Sequence, residues 1–118
     1  MSKKIQMLPN IDPTKTASWQ ALANEAEKLK KTTLKELFEK DSNRFSRFSA
    51  KTGGFLLDYS KNLITEDTLK LFGELAKEVN LADAKAKMFG GKLINQTENR
   101  AVLHTALRAP DNVQMTVS

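Results

Sequence analysis

The sequence predicts a mainly α fold, with about five helices and one minor strand or hairpin near residues 48–59. Three observations carry this expectation. Apolar residues recur three and four apart in several windows of the 118-residue chain, as they do on helices that bury one face. Residues that start helices stand just before those windows. Only one short run, Phe55-Leu56-Leu57-Asp58-Tyr59, reads as a strand, and it follows a Gly pair that breaks the chain.

The first helix is announced by Asp12, a capping residue, and Pro13, whose missing N–H costs nothing at the first helical position. Trp19, Leu22, Ala23, Ala26 and Leu29 then form one apolar face, and Lys28, Lys30 and Lys31 gather at the end that favours cations. Thr33-Leu34-Lys35-Glu36 has the form of a capping box and opens a short second helix whose apolar residues are Leu34, Leu37 and Phe38. Asp41-Ser42-Asn43 is a turn or a cap, after which Phe45 and Phe48 fit one more helical turn. Phe48-Ser49-Ala50, pairing with the strand across Gly53-Gly54, makes the small hairpin.

The best helix covers residues 65–79. Thr65 caps it, Glu66 and Asp67 sit at the positive end of its dipole, and Ile64 and Leu69 have the spacing of a hydrophobic staple. Its buried stripe is Leu69, Phe72, Leu75, Ala76 and Val79. Asn80 ends it, and a shorter helix from Leu81 to Phe89 closes at Gly90-Gly91. A last helix is expected from Asn95 or Thr97 to Arg108, with Val102, Leu103, Ala106 and Leu107 as its apolar side, and Pro110 forbids its continuation. Val113 to Val117 alternates as a strand does, yet has no partner before Ser118. A lone edge strand is a poor way to finish a domain, so the expectation is a chain that continues.

A chain of 118 residues and 13.2 kDa holds one small domain. Zero cysteines exclude a disulfide scaffold, a zinc ribbon and thiol catalysis. No apolar run is long enough to span a membrane, and MSKKIQMLPN lacks the apolar core of a signal peptide, so a soluble, cytoplasmic protein is expected. The net charge of +5 raises the alternative of a stand-alone basic helical module that binds nucleic acid or an acidic protein. The distribution argues against it. Residues 1–59 carry eleven Lys/Arg against seven Asp/Glu, residues 60–118 eight against seven, and the carboxylates are interleaved throughout. Only Lys28, Lys30 and Lys31 cluster, with a thinner run at Arg44, Arg47 and Lys51. A solvated mixed-charge surface is the better reading.

One constellation invites chemistry. Arg100, His104 and Arg108 are spaced i, i+4, i+8, so on the expected last helix they form one column. Such a column could hold an anion, and His104 is the only histidine and so the natural proton carrier near neutrality. The bland reading pairs the arginines with carboxylates and packs His104 into a hydrogen-bonded seam. It is preferred, because helices bind anions at their N-termini rather than along their length. Metal-ligand pairs and phosphate-binding glycine loops are missing, and Glu66-Asp67 are caps before they are acid–base groups. Phe38, Phe45, Phe48, Phe55, Phe72 and Phe89 occupy apolar positions expected to be core.

The segment Ile94-Asn95-Gln96-Thr97-Glu98-Asn99-Arg100-Ala101-Val102-Leu103-His104-Thr105-Ala106-Leu107-Arg108 meets every fixed position of N-x-T-E-x-R-A-V-L-H-x-A-L-R, and so resembles the glucose-6-phosphate isomerase family. Three further blocks agree, in the family's order: Thr16 to Leu22, Asp41 to Ser49, and Leu57-Asp58-Tyr59-Ser60-Lys61-Asn62 followed by Ile64-Thr65. The resemblance covers residues 9–118. It implies that residues 1–118 are the N-terminal helical segment of a longer α/β sugar-phosphate isomerase. It further implies a metal-independent, cofactor-free, cytoplasmic homodimer that interconverts glucose 6-phosphate and fructose 6-phosphate in glycolysis and gluconeogenesis. The family's catalytic and sugar-phosphate-binding motifs lie C-terminal to this segment, and His104 does not match the catalytic histidine motif. No catalytic, substrate-binding or metal residue is therefore expected here. The partner expected for the segment is the remainder of the isomerase chain, with neither nucleic acid nor membrane.

Overall fold

The computed structural model describes residues 8–114, 116 and 117. In chain order it contains a 3-10 turn Pro13–Lys15, α1 (Ala17–Leu29), α2 (Leu34–Lys40), α3 (Arg44–Arg47), β1 (Ser49–Thr52), β2 (Phe55–Asp58), α4 (Glu66–Glu78), α5 (Leu81–Phe89) and a 3-10 turn His104–Arg108. The mainly α expectation holds, with one antiparallel hairpin in register Ser49↔Asp58, Ala50↔Leu57, Lys51↔Leu56 and Thr52↔Phe55. The chain divides into two compact units, residues 17–74 and residues up to 16 together with those from 75 onward.

From Asp12 to the start of α4, local signals set most boundaries. Asp12 caps as expected, accepting from the Thr14 N–H at 3.0 Å, but the turn that it starts ends at Thr16. That residue is extended (ψ 154°), with its hydroxyl bonded to the Pro13 carbonyl. The expected first helix is thus split into a 3-10 turn and α1. The face of α1 that packs runs through Ser18, Leu22, Glu25 and Leu29, while Trp19, Ala23 and Ala26 stay exposed. Glu25 is drawn inward by polar partners, accepting from the Thr65 hydroxyl at 3.3 Å beside the Lys28 ammonium at 3.5 Å. Thr33 and Glu36 form the full capping box of α2. A second reciprocal pair opens α4, where the Thr65 N–H donates to Thr68 Oγ1 (3.0 Å) and the Thr68 N–H to Thr65 Oγ1 (3.3 Å). Gly53, at φ 54°, supplies the left-handed residue of the two-residue hairpin turn.

Among the described residues, the buried hydrophobic side chains are Leu29 and Phe48. Phe48 is 2% exposed and meets Tyr59 edge to face at 6.1 Å. The other five phenylalanines expected in the core are exposed, Phe55 most of all.

In the unit that includes the residues from 75 onward, α5 ends in a Schellman motif. The Lys92 N–H reaches the Lys87 carbonyl (3.0 Å) and the Gly91 N–H the Met88 carbonyl (3.3 Å), with Gly91 at φ 68°. Gly91 is also packed against backbone, since a Cβ there would collide with the Thr116 carbonyl oxygen. The expected helix over 95–108 does not form. Asn95 and Arg100 instead pair as an antiparallel bridge around a turn with Asn99 at φ 52°, and only His104–Arg108 winds, as a 3-10 turn. The reason is local competition. Asn95 Oδ1 accepts from the Thr97 hydroxyl and the Glu98 N–H, and Glu98 Oε2 holds both the Asn95 amide and the Arg100 guanidinium, so the side chains expected to cap a helix close a turn instead. Of the expected strand at 113–117, Met115 lies outside the described residues, and Val113, Gln114, Thr116 and Val117 show no strand pairing.

Candidate functional site

The most constrained polar centre is Arg44, the first residue of α3. Its side chain is 3% exposed, in a unit whose other cations lie at the surface. Nε donates to the Ser60 carbonyl at 2.8 Å, and Nη2 donates to the carbonyls of Asn62 at 2.8 Å and Ile64 at 3.0 Å. The guanidinium lies 4.3 Å from the Phe48 ring centroid and 5.7 Å from that of Phe38. Among the described residues, backbone dipoles and aromatic faces compensate the buried charge.

The segment held by Arg44 is the connection between β2 and α4, and both of its ends are fixed as well. Asp58 Oδ1 accepts from the Ser60 N–H at 2.9 Å and the Ser60 hydroxyl at 2.6 Å. Those two bonds, the hydroxyl's first, hold the Asp58 carboxyl below its ordinary value. At the other end, Arg47 bridges Asp41 (2.8 Å) and Glu66, the first residue of α4. The bond to Glu66 and the charge of Asp41 raise the Arg47 pKa further. The adjacent depression of about 270 Å³ is lined by both signs of charge, Lys40 and Arg47 against Asp41, Glu66 and Asp67. A guanidinium is a donor-only group, and here its Nε and Nη2 donate to backbone oxygens. The centre therefore fixes a loop.

The Arg100, His104 and Arg108 column is taken apart by the turn. Arg100 closes the bridge and donates from Nη2 to Glu98 at 2.6 Å; His104 opens the 3-10 turn; Arg108 ends it beside a hollow of about 550 Å³ lined by Phe89, Thr105, Pro110 and Val113. The bland reading holds for Arg100, which is paired. It fails for His104, which is exposed rather than packed in a seam. The basic cluster is also broken up, with Lys28 paired to Glu25 and Lys30 to Glu27, and in the thinner run Arg44 is buried. Among the described residues no group of three or more His, Asp or Glu side chains is placed to hold a metal ion, and no helix is long and apolar enough to cross a membrane. Sequence reasoning placed Arg44 in a thin basic run. The available signal was its position among Phe38, Phe45 and Phe48, where a cation finds ring faces.

The chain is similar to a known protein over most of its length. Glucose-6-phosphate isomerase of Wigglesworthia glossinidia brevipalpis is 52% identical over 111 residues, which is 93% of this chain and 20% of that protein. The chain thus spans about one fifth of the length of the curated relative that it matches. Residues 58–118 match the family model described as phosphoglucose isomerase. That stretch starts at the Asp58–Ser60 bonds, takes in the carbonyls that Arg44 holds, and includes the turn that Arg100 closes. With more than half of its length in the family pattern and the Arg44 loop inside it, the chain belongs to the phosphoglucose isomerase family.

Proposed function

We propose that this chain is the N-terminal segment of a cytoplasmic, homodimeric aldose–ketose isomerase that interconverts glucose 6-phosphate and fructose 6-phosphate. The observation that carries the reading is the 52% identity over 93% of the chain to a glucose-6-phosphate isomerase. Moving a proton next to a carbonyl and opening a sugar ring take a base, an acid and groups that hold a phosphate. The segment offers one exposed histidine and an arginine locked on backbone carbonyls. Its role in such an enzyme is architectural: the Arg44 clamp sets the path from the hairpin into α4. The base, the acid and the sugar-phosphate site belong to the rest of the isomerase.

The test is a chimera in which this chain replaces the matching segment of the Wigglesworthia protein. Turnover of glucose 6-phosphate within about tenfold of the parent is expected, since a segment outside the reacting atoms leaves transition-state binding in place. The 118-residue chain alone is expected to show no turnover above a buffer blank. A folded chimera without turnover, or turnover by the chain alone, overturns the reading.

A further inference from the structure

The β1–β2 hairpin presents two unlike faces. Directly paired residues of an antiparallel ladder share a face, and successive residues alternate. The register therefore puts Ala50, Thr52, Phe55 and Leu57 on one face, and Ser49, Lys51, Leu56 and Asp58 on the other. Phe48 and Tyr59 continue the first face inward: the Tyr59 N–H donates to the Phe48 carbonyl at 3.0 Å, and their rings touch edge to face. That face starts in the core at Phe48 and runs out into the open, with Leu57 64% and Phe55 81% exposed. Leu56 is also exposed, at 56%, but it pairs with Lys51 on the polar face.

We infer that the Phe55–Leu57 face is the surface on which the remainder of the isomerase chain packs, while the Leu56 face stays in water. The inference rests on the reading of this chain as a segment of such an enzyme. What covers the face is argued from length and area. The matched region is one fifth of the relative, so four fifths of that polypeptide remains to supply a partner. A second copy of this chain is a poor occupant. Two facing strips of one Phe, one Leu, one Ala and one Thr fall short of the ~1,200–2,000 Å² of a stable interface, given ~150–250 Å² for a large aromatic side chain. A body of the same polypeptide escapes that requirement, because its association is intramolecular.

The chain has no cysteine of its own, so three single variants, Phe55→Cys, Leu56→Cys and Leu57→Cys, report each face by thiol labelling read peptide by peptide. In the 118-residue chain all three are expected to label at similar rates. In the chimera with the Wigglesworthia protein, Phe55→Cys and Leu57→Cys are expected to slow by at least ~10-fold, as burial under a packed body gives protection, while Leu56→Cys keeps its rate. Equal labelling of all three in the chimera overturns the inference. Protection of positions 55 and 57 in the 118-residue chain that grows with its concentration also overturns it, by making a second copy the occupant. Labelling is independent of turnover. An inactive chimera that protects 55 and 57 refutes the enzymatic reading and leaves the docking face standing; an active chimera with all three positions open does the reverse.

Discussion

Arg44 shows how much one residue can organise. Three carbonyls of the Ser60–Ile64 connection accept from it, and two rings flank it. Arg44→Ala strands those oxygens in a part-buried site, and leaving such groups without a donor costs about 1–3 kcal/mol. Arg44→Lys is expected to recover only part of the loss, because a single ammonium lacks the planar fork that serves Ser60 with one edge and Asn62 and Ile64 with another nitrogen. Urea unfolding of the chimera with both variants checks this; equal midpoints for wild type and Arg44→Ala would refute the clamp. None of this was legible in the sequence beyond a basic residue among aromatics. The partners are backbone oxygens, and backbone oxygens have no signature in a list of side chains. His104 illustrates the opposite failure, in which a conspicuous residue type at an inviting spacing ends on the surface.

At the scale of elements, legibility followed the strength of local chemistry. The hairpin, the Thr33–Glu36 box and the left-handed Asn80 between α4 and α5 stand where the sequence puts them, because turn glycines, caps and an αL asparagine act within a few residues. The helix over 95–108 failed for the same reason: Asn95, Thr97 and Glu98 are equally good at capping a helix and at closing a turn. Two element ends also carry a pH dependence. Glu36 is held below its ordinary 4.5 by the Thr33 N–H, then by the Thr33 hydroxyl, and Asp58 below its ordinary 3.8 by Ser60. Both folded values are depressed, so their contribution is present above the ordinary values and is lost as pH falls through the folded ones. Stability of the chimera is therefore expected to fall on acidification below about pH 4, the ordinary carboxylate range. The double variant Glu36→Gln, Asp58→Asn should flatten that limb and lie below wild type at neutral pH. Acid melts of equal slope for the two proteins would contradict it.

The whole molecule is short of a closed core. Among the described residues, Leu29 and Phe48 are the buried hydrophobic side chains, whereas Trp19, Phe55, Phe72, Phe89 and Leu107 are all exposed. A chain of this length normally hides somewhat under ~70% of its unfolded surface. The periodicity that marked the α1 and α4 stripes was correct as periodicity. It could not say which apolar side chains close on each other within 118 residues and which wait for a larger body, since a helix face reads alike in both cases. Alone in solution, the 118-residue chain should therefore bind a hydrophobic dye, and its thermal transition should be broad, because few of its apolar side chains are buried. In the chimera the same dye should find little to bind and melting should sharpen, as the docking of the hairpin face adds the missing contacts. A monomeric 118-residue chain that unfolds in one sharp two-state step, without dye binding, would show that the exposed faces need no partner and that the segment is stable in its own right.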